Sequence, residues 1–525
     1  MRFQPRNFAA PRGRRWIAGI LLFALALRLW ELGARSLWFD EAMEYWVATA
    51  PLTQLLHAVR IGILDPPLYS FLLHLWMKLG TGETWLRLLS VVASLAGIVG
   101  MVVLARRLGG MRTAVAAGLL AAVNPPDIRY AQEVGQYALM LGAVAWNLVA
   151  LHGLWNEGGR KWVLAWASTA FFVSTSFYAA VLTVGVPFGC ALIEAVARRD
   201  RPRARRFTAA LGLYLAVAAP VLLVVLPDQL SRVLHTRAQL ADLETGAEGL
   251  APVWQWLRDL FAFHFTASPY TRVPAWIPIL GWFVLFALAL RARPRWALWF
   301  VATWAVYSVA GWIRVLPFGF RWGLILLPST MMLAAIGATI GAGTRVLRVI
   351  GVVAFAGLVM GGAISLPNRT VRDAIDPNFT MPWPETEDMK LVVEYWHERR
   401  SPSQPTYVLY GAAPAIAYYL QRYPDTRTDL PATWYLSCWH EESPPDFCRA
   451  EDIYYGRWLR SLRPLEMARL FGMTVTTKPR ELWIVASHVY GSESADLVEI
   501  LKQNGYTMVE SIERRDAGAV LLQRN

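Results

Sequence analysis

The sequence predicts a polytopic α-helical membrane protein with about 11 transmembrane helices and a C-terminal soluble α/β domain. Three observations carry this. Only 17% of the 525 residues are charged while 55% are hydrophobic, against roughly 25% charged in a soluble protein. The apolar residues gather into long runs, such as GILLFALALRLWEL (19–32), LRLLSVVASLAGIVGMVVLA (86–105) and FFVSTSFYAAVLTVGVPFGCALIEAVA (171–197). A helix needs roughly 20 such residues to cross about 30 Å of hydrocarbon. The basic residues, finally, sit in short clusters between the runs.

Those clusters orient the chain, because Lys and Arg are retained on the cytoplasmic side. Arg2, Arg6, Arg12, Arg14 and Arg15 place the N-terminus in the cytoplasm. Further clusters follow at Arg106, Arg107 and Arg112, at Arg160 and Lys161, at RRDRPRARR (198–206), at RARPR (291–295), and at Arg345 and Arg348. Two spans fit between each successive pair from 112 onward: 113–125 and 136–155, 162–177 and 179–197, 207–226 and 275–290, 296–313 and 321–340. Spans at 16–33, 86–105 and 346–365 complete the set and leave the C-terminus outside. The first segment also has the basic start and apolar core of a signal peptide, but Arg28 and Trp30 interrupt that core. A net charge of +13 could suggest nucleic acid. Its confinement to loops between apolar runs excludes that class.

The expected organisation is a transmembrane domain over 1–365 and an extracytoplasmic α/β domain over 366–525. Long outer loops fall at 34–85, where juxtamembrane helices are expected, and at 227–274. In the C-terminal part, helical periodicity at 386–400, 414–422 and 494–503 alternates with strands at 406–410, 481–487, 506–513 and 517–523, the last two as a hairpin. Cys438 and Cys448 flank a Pro-rich loop there, and on an oxidising side of the membrane a disulfide is expected. His440 lies between them, but one His and two Cys at this spacing match no zinc pattern. Cys190 falls inside a span and reads as packing.

Ionisable residues next to a membrane are costly and default to functional candidates. In SLWFDEAMEYW (36–46), Asp40 and Glu41 form a carboxylate pair among aromatic residues directly after the first span. The bland reading is an interfacial aromatic belt; the functional one is a catalytic carboxylate that takes a proton from an incoming hydroxyl. In DPPLYSFLLHLWMKLG (65–80), two prolines hold Asp65 extended and Tyr69 follows. The apolar stretch after them is too short to span and fits an interfacial or re-entrant segment. Arg87 opens the second span on the outer side. NPPDIRYAQEVGQYALM (124–140) brings Arg129, Tyr130, Glu133 and Tyr137 into one outer connection, where a plain polar loop is the alternative. Arg321 lies at another outer boundary, functional or simply snorkelling. All these segments fall on one side of a topology drawn from Lys and Arg alone.

At this point the sequence resembles the GT-C membrane glycosyltransferases of the protein O-mannosyltransferase and lipid A aminoarabinose transferase type, glycosyltransferase family 39. The motifs SLWFDEA, DPPLY, LRLLS and NPPDIRYAQEVGQYA stand in the family's order and spacing, and RWGLILLP matches a later element. The match covers the N-terminal third closely and the rest as architecture. There are departures: Val134-Gly135-Gln136 stands where the family often has a basic residue, with Arg129 a candidate substitute. The element at SFY (176–178) keeps only Tyr178.

The resemblance implies an inverting transferase in the inner membrane. It would move a sugar from a polyprenyl-phosphate donor to a glycan, lipid or protein acceptor on the periplasmic side. Asp40 would be the general base and Glu41 would orient its surroundings. Arg87, Arg129 and Arg321 would grip the donor phosphate, while Asp65, Tyr69, Tyr130, Glu133, Tyr137 and Tyr178 would line the donor site. A divalent metal on the two acids occurs in oligosaccharyltransferases of the wider superfamily but is not favoured here. The competing classes are a lipid flippase or transporter, which would show midplane charges and inverted repeats, and a non-catalytic binding subunit.

Overall fold

Each of the eleven segments expected to span holds a helix in the computed structural model. The structure describes residues 11–61, 66–240, 258, 260, 264–265, 276–313, 320–340, 344–365, 387–402, 404–423, 448–450, 452–455, 479–489 and 493–525. Asp65, Cys438 and most of the loop at 227–274 therefore lie outside the described residues, and so does the expected Cys438–Cys448 bond.

In chain order the helices begin with α1 (Pro11–Leu29), followed by three short ones, α2 (Phe39–Thr49), α3 (Leu52–Ile61) and α4 (Pro67–Trp76). Next come α5 (Glu83–Gly109), α6 (Met111–Ala122), α7 (Pro125–Ala131), α8 (Tyr137–Asn156), α9 (Arg160–Ser176), α10 (Val181–Ala197) and α11 (Arg201–Leu240). The helical bundle closes with α12 (Trp276–Ala292), α13 (Pro294–Trp312), α14 (Phe320–Gly323), α15 (Leu327–Thr339) and α16 (Arg345–Ser365). Among the described residues six helical stretches are long and apolar enough to cross a membrane: Glu83–Gly109, Tyr137–Asn156, Tyr178–Ala197, Arg201–Gln229, Arg321–Thr339 and Arg345–Ala363. One boundary moves: the helix expected to end at 226 continues to Leu240, with Pro220 and Pro227 inside it.

Small residues let the bundle close tightly. A Cβ on Gly97 of α5 would lie 2.9 Å from Gly142 Cα of α8, and one on Gly142 would lie 2.8 Å from the Ala93 carbonyl. Real side chains do not pack that closely, so the backbones meet only because both positions are glycine. A buried Arg ties the same region together. Arg28 of α1 donates to Ser94 of α5 at 2.7 Å and to the carbonyls of Ala121 and Ala122 at the end of α6. It also pairs with Asp127 of α7 at 3.1 Å. Carbonyls at a helix end lack partners within the helix, and the guanidinium supplies them.

Beyond the bundle, α17 (Met389–Arg399), β1 (Thr406–Val408), α18 (Ala413–Leu420), β2 (Cys448–Ala450), β3 (Ile453–Tyr455), β4 (Glu481–Ser487), α19 (Glu493–Gln503), β5 (Tyr506–Arg514) and β6 (Ala517–Arg524) form a sheet with flanking helices. The strand order is β2-β3-β1-β4-β6-β5. β1 runs parallel to β3 and β4, and β5 and β6 make an antiparallel hairpin. β4 reads as a near-continuous apolar run because both its faces are covered. Trp483 and Val485 enter one core with Val393 and Trp396 of α17 and Ile416 and Tyr419 of α18. Leu482 and Ile484 face Leu497 and Leu501 of α19. The first of these cores also contains Ala42 and Tyr45 of α2 and Tyr69 and Leu73 of α4. The sheet region and the short helices after α1 are thus one packed unit.

Candidate active site

The acids of SLWFDEA open α2, where unpaired N–H groups and the helix dipole favour negative charge. Adjacent positions on a helix face about 100° apart, so Asp40 and Glu41 go to different places. Asp40 Oδ2 accepts a hydrogen bond from Arg321 Nη1 at 2.6 Å. This pair is partly open: the side chains are 43% and 21% exposed. The Arg321 guanidinium also stacks over Trp38, 4.7 Å from its ring centre.

Glu41 is almost fully buried and points into the protein. Its two oxygens take a fork from Arg87, at 2.8 Å from Nε and 2.6 Å from Nη2. It further accepts from the Val134 N–H at 2.9 Å and from the Trp38 N–H at 3.4 Å. Arg87 gives its remaining N–H groups to the carbonyls of Leu32, Arg35 and Ser36, each at 2.9 Å. All five guanidinium donors are then used, and the side chain is 1% exposed. Arg87 therefore has nothing to offer a phosphate, which corrects its expected role. The Glu41–Arg87 pair is a clamp fixing the turn at 32–38 and the 134 backbone against α5. The two acids of the motif do not converge on one point. Among the described residues no group of three His, Cys, Asp or Glu side chains is placed to hold a metal ion.

The connection at 124–140 supplies the wall opposite Asp40. Asn124 caps α7 by accepting from the Asp127 N–H at 3.1 Å, and Pro125 and Pro126 occupy the first helical positions, where a missing N–H costs nothing. Every residue of α7 is buried. Arg129 on it lies within electrostatic reach of Tyr130, Glu133 and Arg321. The Tyr130 ring packs 4.8 Å from Tyr137. Its buried hydroxyl has no hydrogen-bond partner among the described residues. Burial pushes the Glu133 carboxyl up to about 7, opposed by Arg321 and Arg129 and reinforced by Glu41 and Asp40. Tyr137 packs on Phe177, which in turn touches Trp322, so Tyr178 opens its short turn beside the Arg321 segment.

Tyr69 is a second correction. It is 1% exposed, and its hydroxyl meets Ser90 Oγ at 2.9 Å, so it ties α4 to α5 and is closed off from a ligand. Two groups escaped the sequence reading. Glu44, one turn beyond Asp40, is buried, accepts from Ser70 at 2.7 Å, and is pushed by burial up to about 7. Its i+4 spacing from Asp40 was the available signal. Glu387 reaches Phe39 from the far end of the chain. No local pattern marks a contact that distant.

Comparison with known proteins follows the same lines. Residues 65–224 match the family model described as dolichyl-phosphate-mannose-protein mannosyltransferase. ArnT from Cupriavidus metallidurans in the apo state is similar over 97% of this chain and 98% of its own, with 15% identity and a TM-score of 0.57. The same protein bound to undecaprenyl phosphate is similar over 98% of both chains, with 15% identity and a TM-score of 0.55. The fold is that of the GT-C glycosyltransferases. No curated protein sequence matches the chain. The resemblance carried by the four N-terminal motifs is borne out by the GT-C fold and by the family match.

Proposed function

We propose that this chain is an inverting glycosyltransferase that moves a hexosyl or pentosyl unit from a polyprenyl-phosphate donor to an acceptor outside the cytoplasm. The observation that carries the reading is the partly exposed Asp40–Arg321 pair, a proton acceptor and a phosphate-binding fork 2.6 Å apart in a GT-C fold. The match to a mannosyltransferase family supports a transferase over a flippase. A similar structure holds undecaprenyl phosphate, which supports a lipid carrier here.

In this reading Arg321 neutralises Asp40 until the donor arrives. The donor phosphate, richer in charge than a carboxylate, draws the guanidinium to itself through charge-assisted hydrogen bonds. Asp40 is then released to take a proton from the acceptor's O–H or N–H. The acceptor atom bonds to the anomeric carbon from the face opposite the phosphate. The carbon–oxygen bond to phosphate breaks, and the electron pair leaves on the polyprenyl phosphate. Arg321, with Arg129 behind it, stabilises the charge that grows there. Tyr130 and Glu133 face the sugar, and Tyr137 and Tyr178 complete the wall. The chain crosses the inner membrane about eleven times, N-terminus in the cytoplasm, with residues 366–525 as a periplasmic α/β domain. A divalent metal on the two acids is not favoured in this reading.

The test is mass spectrometry of membrane lipids and envelope glycans from cells with and without the active chain. Loss of one sugar mass from a glycan, lipid or protein, with build-up of the polyprenyl-linked sugar, supports the reading. Unchanged products with a carrier lipid redistributed between leaflets would make it a flippase.

A further inference from the structure

Glu387 lies just ahead of α17 and is 1% exposed. Its Oε2 accepts from the backbone N–H of Phe39 at 3.2 Å and from the Ser487 hydroxyl at 2.7 Å. Its Oε1 is 2.7 Å from His488 Nδ1. Phe39 opens α2, and Asp40 is the next residue. The first N–H groups of a helix have no acceptor within it. Here the acceptor comes from 348 residues away.

His488 extends the contact. Its ring stacks on Phe39 at 4.7 Å with 9° between planes, and lies 5.9 Å from Trp38. Trp38 in turn carries the Arg321 guanidinium. The turn holding His488 is specially built. Its φ is +51°, a left-handed conformation uncommon outside glycine and one that clusters at functional sites. A Cβ on Gly411 would lie 2.3 Å from the Ser487 carbonyl oxygen and 2.7 Å from that of His488, so only glycine lets the two segments pass.

Docking alone does not call for this arrangement. The sheet region is already tied to the bundle by Tyr419 Oη accepting from the Leu37 N–H at 2.7 Å, by Tyr418 Oη donating to the Thr81 carbonyl at 2.9 Å, and by Trp46 Nε1 donating to the Pro414 carbonyl at 3.1 Å. Glu387 adds a buried carboxyl that joins the N–H beside Asp40 to Ser487 and His488.

We propose that Glu387 and His488 are positioning residues through which the C-terminal sheet region fixes the aim of Asp40 toward Arg321 and the acceptor. The inference rests on the reading of Asp40 as the base. It does not make either residue a catalytic one, since neither touches the reacting atoms.

The test uses the full-length chain. Glu387→Gln keeps the shape but turns an N–H₂ toward donors that need an acceptor. His488→Asn keeps a side-chain N–H near the position of Nδ1, whereas His488→Ala removes it. Product per chain is measured in cells by mass spectrometry, binding of undecaprenyl phosphate to purified protein by Trp fluorescence, and amide exchange at residues 38–41 by mass spectrometry. Misaiming a reacting group by about 1 Å costs on the order of 10²-fold, so Glu387→Gln and His488→Ala are expected to lose product on that scale. Undecaprenyl phosphate binding stays unchanged, exchange at 38–41 quickens, and His488→Asn recovers most of the product. Wild-type product from Glu387→Gln, unchanged exchange at 38–41, or parallel loss of product and lipid binding would each overturn the inference. Absence of product from the wild-type chain would instead count against the transferase reading, while the exchange result would still decide the positioning one.

Discussion

Asp40 and Arg321 lie 281 residues apart in sequence and 2.6 Å apart in space. The pair joins the start of the first outer helix to the start of a late span. In the proposed reaction Arg321 has two alternative partners, the Asp40 carboxylate before binding and the donor phosphate after it. Arg321→Ala should therefore weaken undecaprenyl phosphate binding by about tenfold to a hundredfold, equivalent to the ~1.5–3 kcal/mol of a hydrogen bond to a charged group. Fluorescence titration of the purified chain measures this. Unchanged affinity would remove Arg321 from the phosphate site.

Glu41 and Arg87 should behave differently. Breaking a buried, saturated ion pair costs roughly 3–5 kcal/mol. Glu41→Gln and Arg87→Ala are expected to lower the melting temperature of the purified protein sharply, and the double variant should fall by less than the two together. If Arg87→Ala melted normally but lost donor binding, its original assignment to the phosphate would return.

Glu133 predicts a pH effect of definite sign. Its carboxyl titrates at about 7 in the folded protein against 4.5 for the ordinary group. Between those values the folded state holds more protons than the unfolded state, so stability falls as pH rises from about 4.5 to about 7 and then levels off. Glu133→Gln removes this contribution. It should stabilise the protein at pH 8 relative to wild type and change little at pH 4.5, as read from melting curves. Glu44 shifts the same way for the same reason, so part of the slope should survive the substitution. Equal shifts at both pH values would contradict the buried, ionisable Glu133.

Much of this was legible because membrane physics writes itself into sequence. Apolar runs and Arg clusters marked the helical segments, and the SLWFDEA and NPPDIRYAQE segments held the candidate residues that the fold brings near one another. The division of labour between Asp40 and Glu41 was not legible, because adjacent letters do not reveal which carboxyl turns inward. Arg87 misled for the same reason. An Arg at a span boundary looks available until the carbonyls of Leu32, Arg35 and Ser36 are seen to fill it. Glu387 and His488 could not be found at all, since Glu387 meets the Phe39 backbone N–H across most of the chain and His488 meets Glu387 and the Phe39 ring.

The topology makes its own prediction. An alkaline phosphatase fused after residue 525 should be active, and a cytoplasm-only reporter at the same point silent. The same placement predicts that reductant raises the mass of the one tryptic peptide holding both Cys438 and Cys448 by the two hydrogens of the opened bond. A silent phosphatase would move the site to the cytoplasmic face and end the lipid-donor reading.

The most direct measurement is sugar transfer by purified Asp40→Asn. The substitution keeps shape and a partner for Arg321 but cannot take the acceptor's proton. A placed general base contributes roughly 10²–10⁴-fold, so turnover should fall by that factor while undecaprenyl phosphate binding and melting temperature hold near wild type. Transfer by Asp40→Asn at close to the wild-type rate would contradict the assignment of Asp40 as the base.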